Sequence, residues 1–235
     1  MNDSNASAPT SLSASAEGTI RFQAVVFDAF GTLLRFGEAR HPYRRLQKVL
    51  NALGRGYDAN DRYIMMENNL GLAGFASEVG YEVPANLLAD LERDLFHELA
   101  NIRLYEDVIP TLDALRASGL KIGVCSNLAA PYGLPIRFLL PDLDCYALSY
   151  EVGAVKPSRE IYRHCTDQLG VSADAILFVG DTPEADVDGP IAFGMSAVLL
   201  DRENRFGNRT LLKSLQNLYT LIGRGQSATE LPAAP

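Results

Sequence analysis

Four short stretches carry residues able to do chemistry. They are "VVFDAFGT" with Asp28, "KIGVCSN" with Ser126 and Asn127, "EVGAVKPSREIY" with Lys156, and "LFVGDTPEAD" with Asp181 and Asp186. Carboxylates, a hydroxyl and an ammonium, gathered at one place, can grip an anion, a hard cation or both. Taken singly, each stretch also has a mundane reading. An Asp after a strand caps a turn, Ser-Asn is ordinary loop material, and a Lys before Pro is solvated. Pro183 after Asp181-Thr182 suits the first position of a helix. The case for function therefore depends on whether the fold brings them together.

The elements between them say that it does. Phe22–Phe27, Lys121–Cys125, Ala175–Val179 and Ser196–Leu200 are short apolar runs of strand type, and each chemical stretch lies at or beyond such a run. Val108, Leu112 and Leu115 share a helical face that Gly119 ends, and Arg159–Leu169 ends similarly at Gly170. A further helix is expected over Arg209–Ile222. Strands alternating with helices predict an α/β fold with a doubly wound parallel sheet, where ligands collect at the carboxyl ends of the strands. Residues 35–107 break the rhythm. Helical patterns over Tyr43–Leu53, Asp61–Leu70 and Asn86–Ala100, with no convincing strand, predict an α-helical insertion over that sheet edge. The expected organisation is a core of residues 20–34 and 108–224, a helical cap of 35–107, and disordered tails at 1–19 and 225–235.

In this order and context, the four stretches resemble the haloacid dehalogenase (HAD) superfamily of hydrolases. The pattern there runs hhhhDxDGT, hhhT/S, Lys, then hhhGDxxxxD, and the resemblance spans roughly Phe22 to Leu200. It implies a Rossmann-like core with a helical cap between the first two motifs. It implies that Asp28 is the nucleophile, and that Ser126 and Lys156 hold the transferring group, with Thr32 and Asn127 also at the substrate. It implies Mg²⁺ on Asp28, Asp181 and the backbone carbonyl of Phe30, with Asp186 in support.

Electrostatics bears on that assignment. A carboxylate attacking a phosphoryl group approaches an anion, and two unit charges about 4 Å apart repel by about 4 kcal/mol at an effective dielectric of roughly 20. Mg²⁺ and Lys156 would cancel that repulsion. One residue departs from the phosphatase pattern: Phe30 stands where family phosphatases usually carry a second Asp, which protonates the leaving alcohol and activates water. Such groups contribute on the order of 10² to 10⁴ in rate. Three readings follow: a phosphohydrolase whose acid–base role is filled by a cap residue or by water, a metal-free 2-haloacid dehalogenase (motif DxYGT), or a binding relic of the same fold. Charge favours the first. Dehalogenases replace the Gly-Asp pair of the fourth motif with neutral residues, whereas "GDTPEAD" keeps its carboxylates. Dehalogenases also bind halide with a cap Arg; Arg62 lies at about the right distance along the cap, as do Arg55 and others.

Bulk properties exclude several classes. The chain has 235 residues, 47% hydrophobic, and a formal net charge of −8 without a basic stripe, so a nucleic-acid partner is not expected. No apolar run is long enough for a membrane span, and the amino-terminal stretch lacks the features of a signal peptide. Cys125, Cys145 and Cys165 are too few and too widely spaced in sequence for a disulfide framework or a thiolate metal site, which fits a reducing, cytoplasmic setting. The implied partner is a small anionic substrate, taken by a monomer or homodimer. Arg40, Arg44, Arg45, Tyr43, Tyr63, Met65, Met66 and Phe75 are candidates to face it from the cap. His41, His97 and His164 show no metal-like spacing.

Overall fold

A computed structural model describes residues 22–206, 212–218 and 222. Five parallel strands form the main sheet in the order β5-β4-β1-β6-β7. They are β1 (Ala24–Phe27), β4 (Lys121–Ser126), β5 (Cys145–Leu148), β6 (Ile176–Gly180) and β7 (Ser196–Leu199). Every residue of β1 and β6 is buried, as befits central strands covered on both faces. Side-chain alternation splits them between two layers. Val25, Phe27, Leu177 and Val179 join one apolar cluster, and Ala24, Val26, Ile176 and Phe178 join the other. The chain leaves β1 toward β4 on one side and later returns to β6 on the other. Their carboxyl ends thus converge where ligands bind in such sheets.

The four expected strands are present, each within two residues of its predicted bounds. Sequence reading missed β5, a four-residue edge strand in a polar setting, too short for its alternation to stand out. Helix α5 (Val108–Ala117) follows its predicted face, and α8 (Arg159–Leu169) matches and ends on Gly170 in the left-handed conformation. The helix expected over 209–222 lies partly outside the described residues; within them, Leu215–Asn217 forms a 3₁₀ turn. Both expected tails lie outside them. No helix among the described residues is long and apolar enough to cross a membrane.

Within residues 35–107 lie four helices, one more than expected: α1 (Pro42–Ala52), α2 (Asp61–Glu67), α3 (Leu72–Glu78) and α4 (Ala85–Ala100). Leu46, Leu50, Leu72, Phe75, Leu91 and Leu95 form their common core. The expectation that this interval holds no strand is corrected. β2 (Leu34–Phe36) pairs antiparallel with β3 (Ile102–Leu104) where the chain enters and leaves the helices. Each is three residues long, with Arg35 opposite Arg103, which hides the apolar signal of a strand.

Glu98 of α4 ties this unit to the sheet side. Its buried carboxylate accepts the backbone N–H groups of Arg40 (2.5 Å) and His41 (2.7 Å) ahead of α1, and the hydroxyl of Tyr132 (2.5 Å) from the loop beyond β4. A charge only 3% exposed is tolerable because three donors replace its water. Glu98→Ala would strand those donors and should cost roughly 2–4 kcal/mol, whereas Tyr132→Phe should cost about 1–2 kcal/mol. Urea midpoints of the two variants check this, and equal small losses would contradict it.

Candidate active site

Asp28 follows Phe27 at the carboxyl end of the central strand, and Lys156 reaches it from the loop between α7 (Ser149–Val152) and α8. The ammonium of Lys156 donates to Asp28 Oδ1 at 2.7 Å and to Asp186 Oδ1 at 2.6 Å. Its third hydrogen is left for an incoming oxygen. Lys156 is 3% exposed, Asp28 7% and Asp186 1%. Burial works against the Lys156 charge, yet Asp186 and Asp28 hold its pKa well above the usual lysine value. A lysine reading as solvated in sequence is in fact enclosed between two carboxylates.

Local backbone chemistry makes the crowding possible. β6 ends in Gly180, where a Cβ would lie 2.4 Å from the Asp186 carboxyl carbon. The following segment, Pro183–Asp188, winds as a π-helical turn and brings Asp186 back so that its Oδ2 accepts the Thr182 N–H at 2.8 Å. Gly31 adopts φ 89°, and a Cβ there would sit 2.4 Å from Asp181 Oδ2. Two glycines thus let Asp181 and Asp186 close on the Asp28 loop. The result is a cluster in which one ligand atom each from Asp28, Asp181 and Asp186 lies within 4.8 Å of the others.

Such a cluster is electrostatically uneasy. Burial pushes the Asp28 carboxyl up to about 7; Lys156 opposes that shift, and Asp186 and Asp181 add to it. Asp181 is raised too, first by burial and then by Asp186, with Arg205 pulling against them. An all-oxygen donor set with a surplus of negative charge suits a hard divalent cation. The residues present therefore fit magnesium.

Not every expected residue meets the site as foreseen. Ser126 ends β4, 2% exposed, beside β1, the strand that leads into Asp28. Asn127 instead spends its amide on the Lys156 backbone, donating to its carbonyl (2.9 Å) and accepting its N–H (2.7 Å), so it positions the lysine. Thr32 is fully buried, and its hydroxyl has no hydrogen-bond partner among the described residues, so it presents no open surface to a substrate. The Phe30 ring stacks on Phe36 with centroids 4.7 Å apart and meets the edge of Tyr132 at 6.0 Å. Tyr43 also faces Tyr132, at 6.2 Å, so Phe30 belongs to an aromatic cluster. Arg62 is exposed and packs on Tyr63, while Arg55 is held by Asp61. Arg40 and Arg45 pair with Asp94. Cys125, Cys145 and Cys165, distant in sequence, meet in one core layer as free thiols; mutual hydrogen bonds keep Cys165 well above the usual thiol pKa.

Sequence reading missed the segment after β7. Arg202 donates twice to the Thr32 carbonyl (3.1 and 2.8 Å) and twice to Asp107 (2.9 Å each), with its guanidinium 3.9 Å over the Tyr105 ring. It braces the turn that follows Asp28. Arg205 binds Asp181. The signal available was "DRENR" directly after Leu200, two cations at a strand's carboxyl end.

The profile of a family described as haloacid dehalogenase-like hydrolase matches residues 22–194. The chain belongs to that family. It is 29% identical over 196 residues to Phosphatase MT3486 of Mycobacterium tuberculosis, covering 77% of this chain and 88% of the relative. It is 28% identical over 224 residues to (S)-2-haloacid dehalogenase 1 of a Pseudomonas species, covering 86% and 97%. The crystal structure of a HAD phosphatase from Thermococcus onnurineus superposes with a TM-score of 0.62 at 25% identity, covering 86% of this chain and 98% of that one. This member of the haloacid dehalogenase-like hydrolases is an enzyme of the hydrolase class. Its curated relatives are more often phosphatases than dehalogenases, and they include a phosphoglycolate phosphatase of Rhodospirillum rubrum at 36% identity over 48% of this chain and 49% of the relative.

The raised Asp28 pKa has a sign. The folded chain holds a proton there more tightly than the unfolded chain, whose carboxyl titrates near 3.8. The associated stability is complete below about pH 4 and drains away as pH climbs toward about 7. Metal-free protein in chelator should therefore melt at falling temperature across that window, and Asp28→Asn should flatten the slope. Thermal denaturation at stepped pH measures it; a slope unchanged in Asp28→Asn would contradict the assignment.

Proposed function

We propose that this hydrolase is a Mg²⁺-dependent phosphatase of small phosphorylated metabolites, working through an aspartyl-phosphate at Asp28. One observation carries the reading: three carboxylates share a buried site with a single lysine enclosed between two of them. A metal-free haloacid dehalogenase would have to bring an anionic substrate and expel an anionic halide beside that charge.

Asp28, Asp181 and the Phe30 backbone carbonyl would hold the ion, with Asp186 in support. When bound, the ion neutralises negative charge and polarises the phosphoryl oxygens. The remaining work falls to the chain. Lys156 keeps Asp28 Oδ1 in place and offers its third N–H to a phosphoryl oxygen, while Ser126 contributes its hydroxyl. No hydrogen bond among the described residues reaches Asp28 Oδ2, which serves as the attacking atom. A bond forms from that oxygen to phosphorus as the ester oxygen departs. Water then attacks the same phosphorus, releasing phosphate and restoring Asp28. The helices α1–α4 act as a cap that excludes bulk water and selects the substrate. Free cysteines support a reducing, cytoplasmic setting, and a monomer or homodimer suffices.

Phe30 cannot donate a proton to the departing oxygen, so good leaving groups should be turned over best. A second reading, 2-haloacid dehalogenase, draws on that same aromatic cluster around Phe30. Assays of p-nitrophenyl phosphate and 2-chloropropionate, each with magnesium and with chelator, separate the two. Magnesium-dependent nitrophenol release is expected, and it should be abolished in Asp28→Asn. Chloride release in chelator would instead install the dehalogenase. A further comparison tests the acid–base gap: Phe30→Asp should raise turnover of an alkyl phosphate more than that of p-nitrophenyl phosphate, which needs no acid. Equal effects on both would mean another group already fills the role.

A further inference from the structure

Asp181 already has a cationic partner. Arg205 Nη2 lies 2.7 Å from Asp181 Oδ2 and 3.1 Å from the Asp181 carbonyl oxygen. Oδ2 is also the nearer of the two oxygens to the turn after Asp28, 2.4 Å from a Cβ built on Gly31 against 3.1 Å for Oδ1. A divalent ion shared between Asp28 and Asp181 needs an oxygen on that side. Guanidinium and metal therefore compete for one carboxylate, and two cations on the same oxygen repel. We propose that Arg205 is an exchangeable counter-ion of Asp181, displaced by the arriving metal, and that it sets how tightly the site holds that metal. The inference rests on the magnesium reading above.

Three cations border the site among the described residues, and they differ in freedom to leave. Lys156 is enclosed between two buried carboxylates. Arg202 has a side chain 11% exposed and spends four hydrogen bonds on Thr32 and Asp107. Arg205 has a side chain 44% exposed, and beyond Asp181 it makes a 4.0 Å approach to Asp201 and a stack on Phe206, contacts weak enough to let it swing into water. Its backbone need not follow. The N–H groups of Arg205 and Phe206 donate to the two oxygens of the fully buried Asp201, at 2.8 and 2.9 Å, which pins the segment while the side chain moves. Charge changes in the useful direction. Three carboxylates face Lys156 and Arg205 before exchange; afterwards they face Lys156 and a divalent ion, a balance ready for an anionic substrate.

The test is a Mn²⁺ titration of the metal-free full-length protein, read by loss of the free-ion electron paramagnetic resonance signal. Arg205→Met should bind roughly three- to tenfold more tightly than wild type, and its metal-free form should melt at lower temperature. Arg205→Lys should stay near wild type. Circular dichroism verifies that each variant is folded, with Arg205→Gln as the substitute if the Met variant is not. Unchanged or weaker binding in the folded Met or Gln variant overturns the proposal while leaving the metal reading intact. No binding by wild type or any variant removes the metal reading itself, and this proposal with it.

Discussion

The structure depends on one enclosed ammonium. Lys156 sits between Asp28 and Asp186 with almost no contact with water, and without it those two carboxylates would be neighbours in a dry site. Burying three ions is costly unless each is met by opposite charge and hydrogen bonds. The supporting details follow from this. Asn127 clamps the lysine's backbone from both sides, the Thr182 N–H takes the second oxygen of Asp186, and Gly180 leaves room for that carboxylate. Removing any of these would loosen a charge whose position is its function.

What remains unbalanced is as informative as what is paired. Lys156 and Arg205 bring two positive charges to three acids, and the carboxyls of Asp28 and Asp181, raised first by burial and then by their acidic neighbours, are reluctant to ionise. The aromatic packing of Phe30 with Phe36 and Tyr132 adds a second asymmetry, since this side of the turn after Asp28 is lined by rings. The site is thus rich in carboxylates on one side and lined by aromatic rings on the other.

Much of this was legible in sequence because buried parallel strands announce themselves. β1 and β6 are continuous apolar runs, and each is followed at once by a carboxylate that a core strand would not otherwise carry. α8 was legible from its face and its terminal glycine. The edge strand β5 and the β2–β3 ribbon were not, because three or four residues give too little alternation to read. Among the site residues, Asp28, Lys156, Asp181 and Asp186 come together as the family resemblance implied. Thr32 and Asn127 do not face outward, since one is enclosed by packing and the other is consumed by a backbone partner. Arg202 and Arg205 escaped notice because charged residues after a strand look like ordinary surface. Only the fold shows that Thr32 and Asp107, far away along the chain, are what Arg202 joins.

The β2–β3 ribbon has a consequence of its own. The chain departs for the four helices at Leu34–Phe36 and returns at Ile102–Leu104, the two passages lying side by side in antiparallel register. A detour whose start and finish touch imposes no distance constraint on the sheet beneath it. Its contents can lengthen, shorten or be replaced wholesale over evolutionary time while the five strands keep their places.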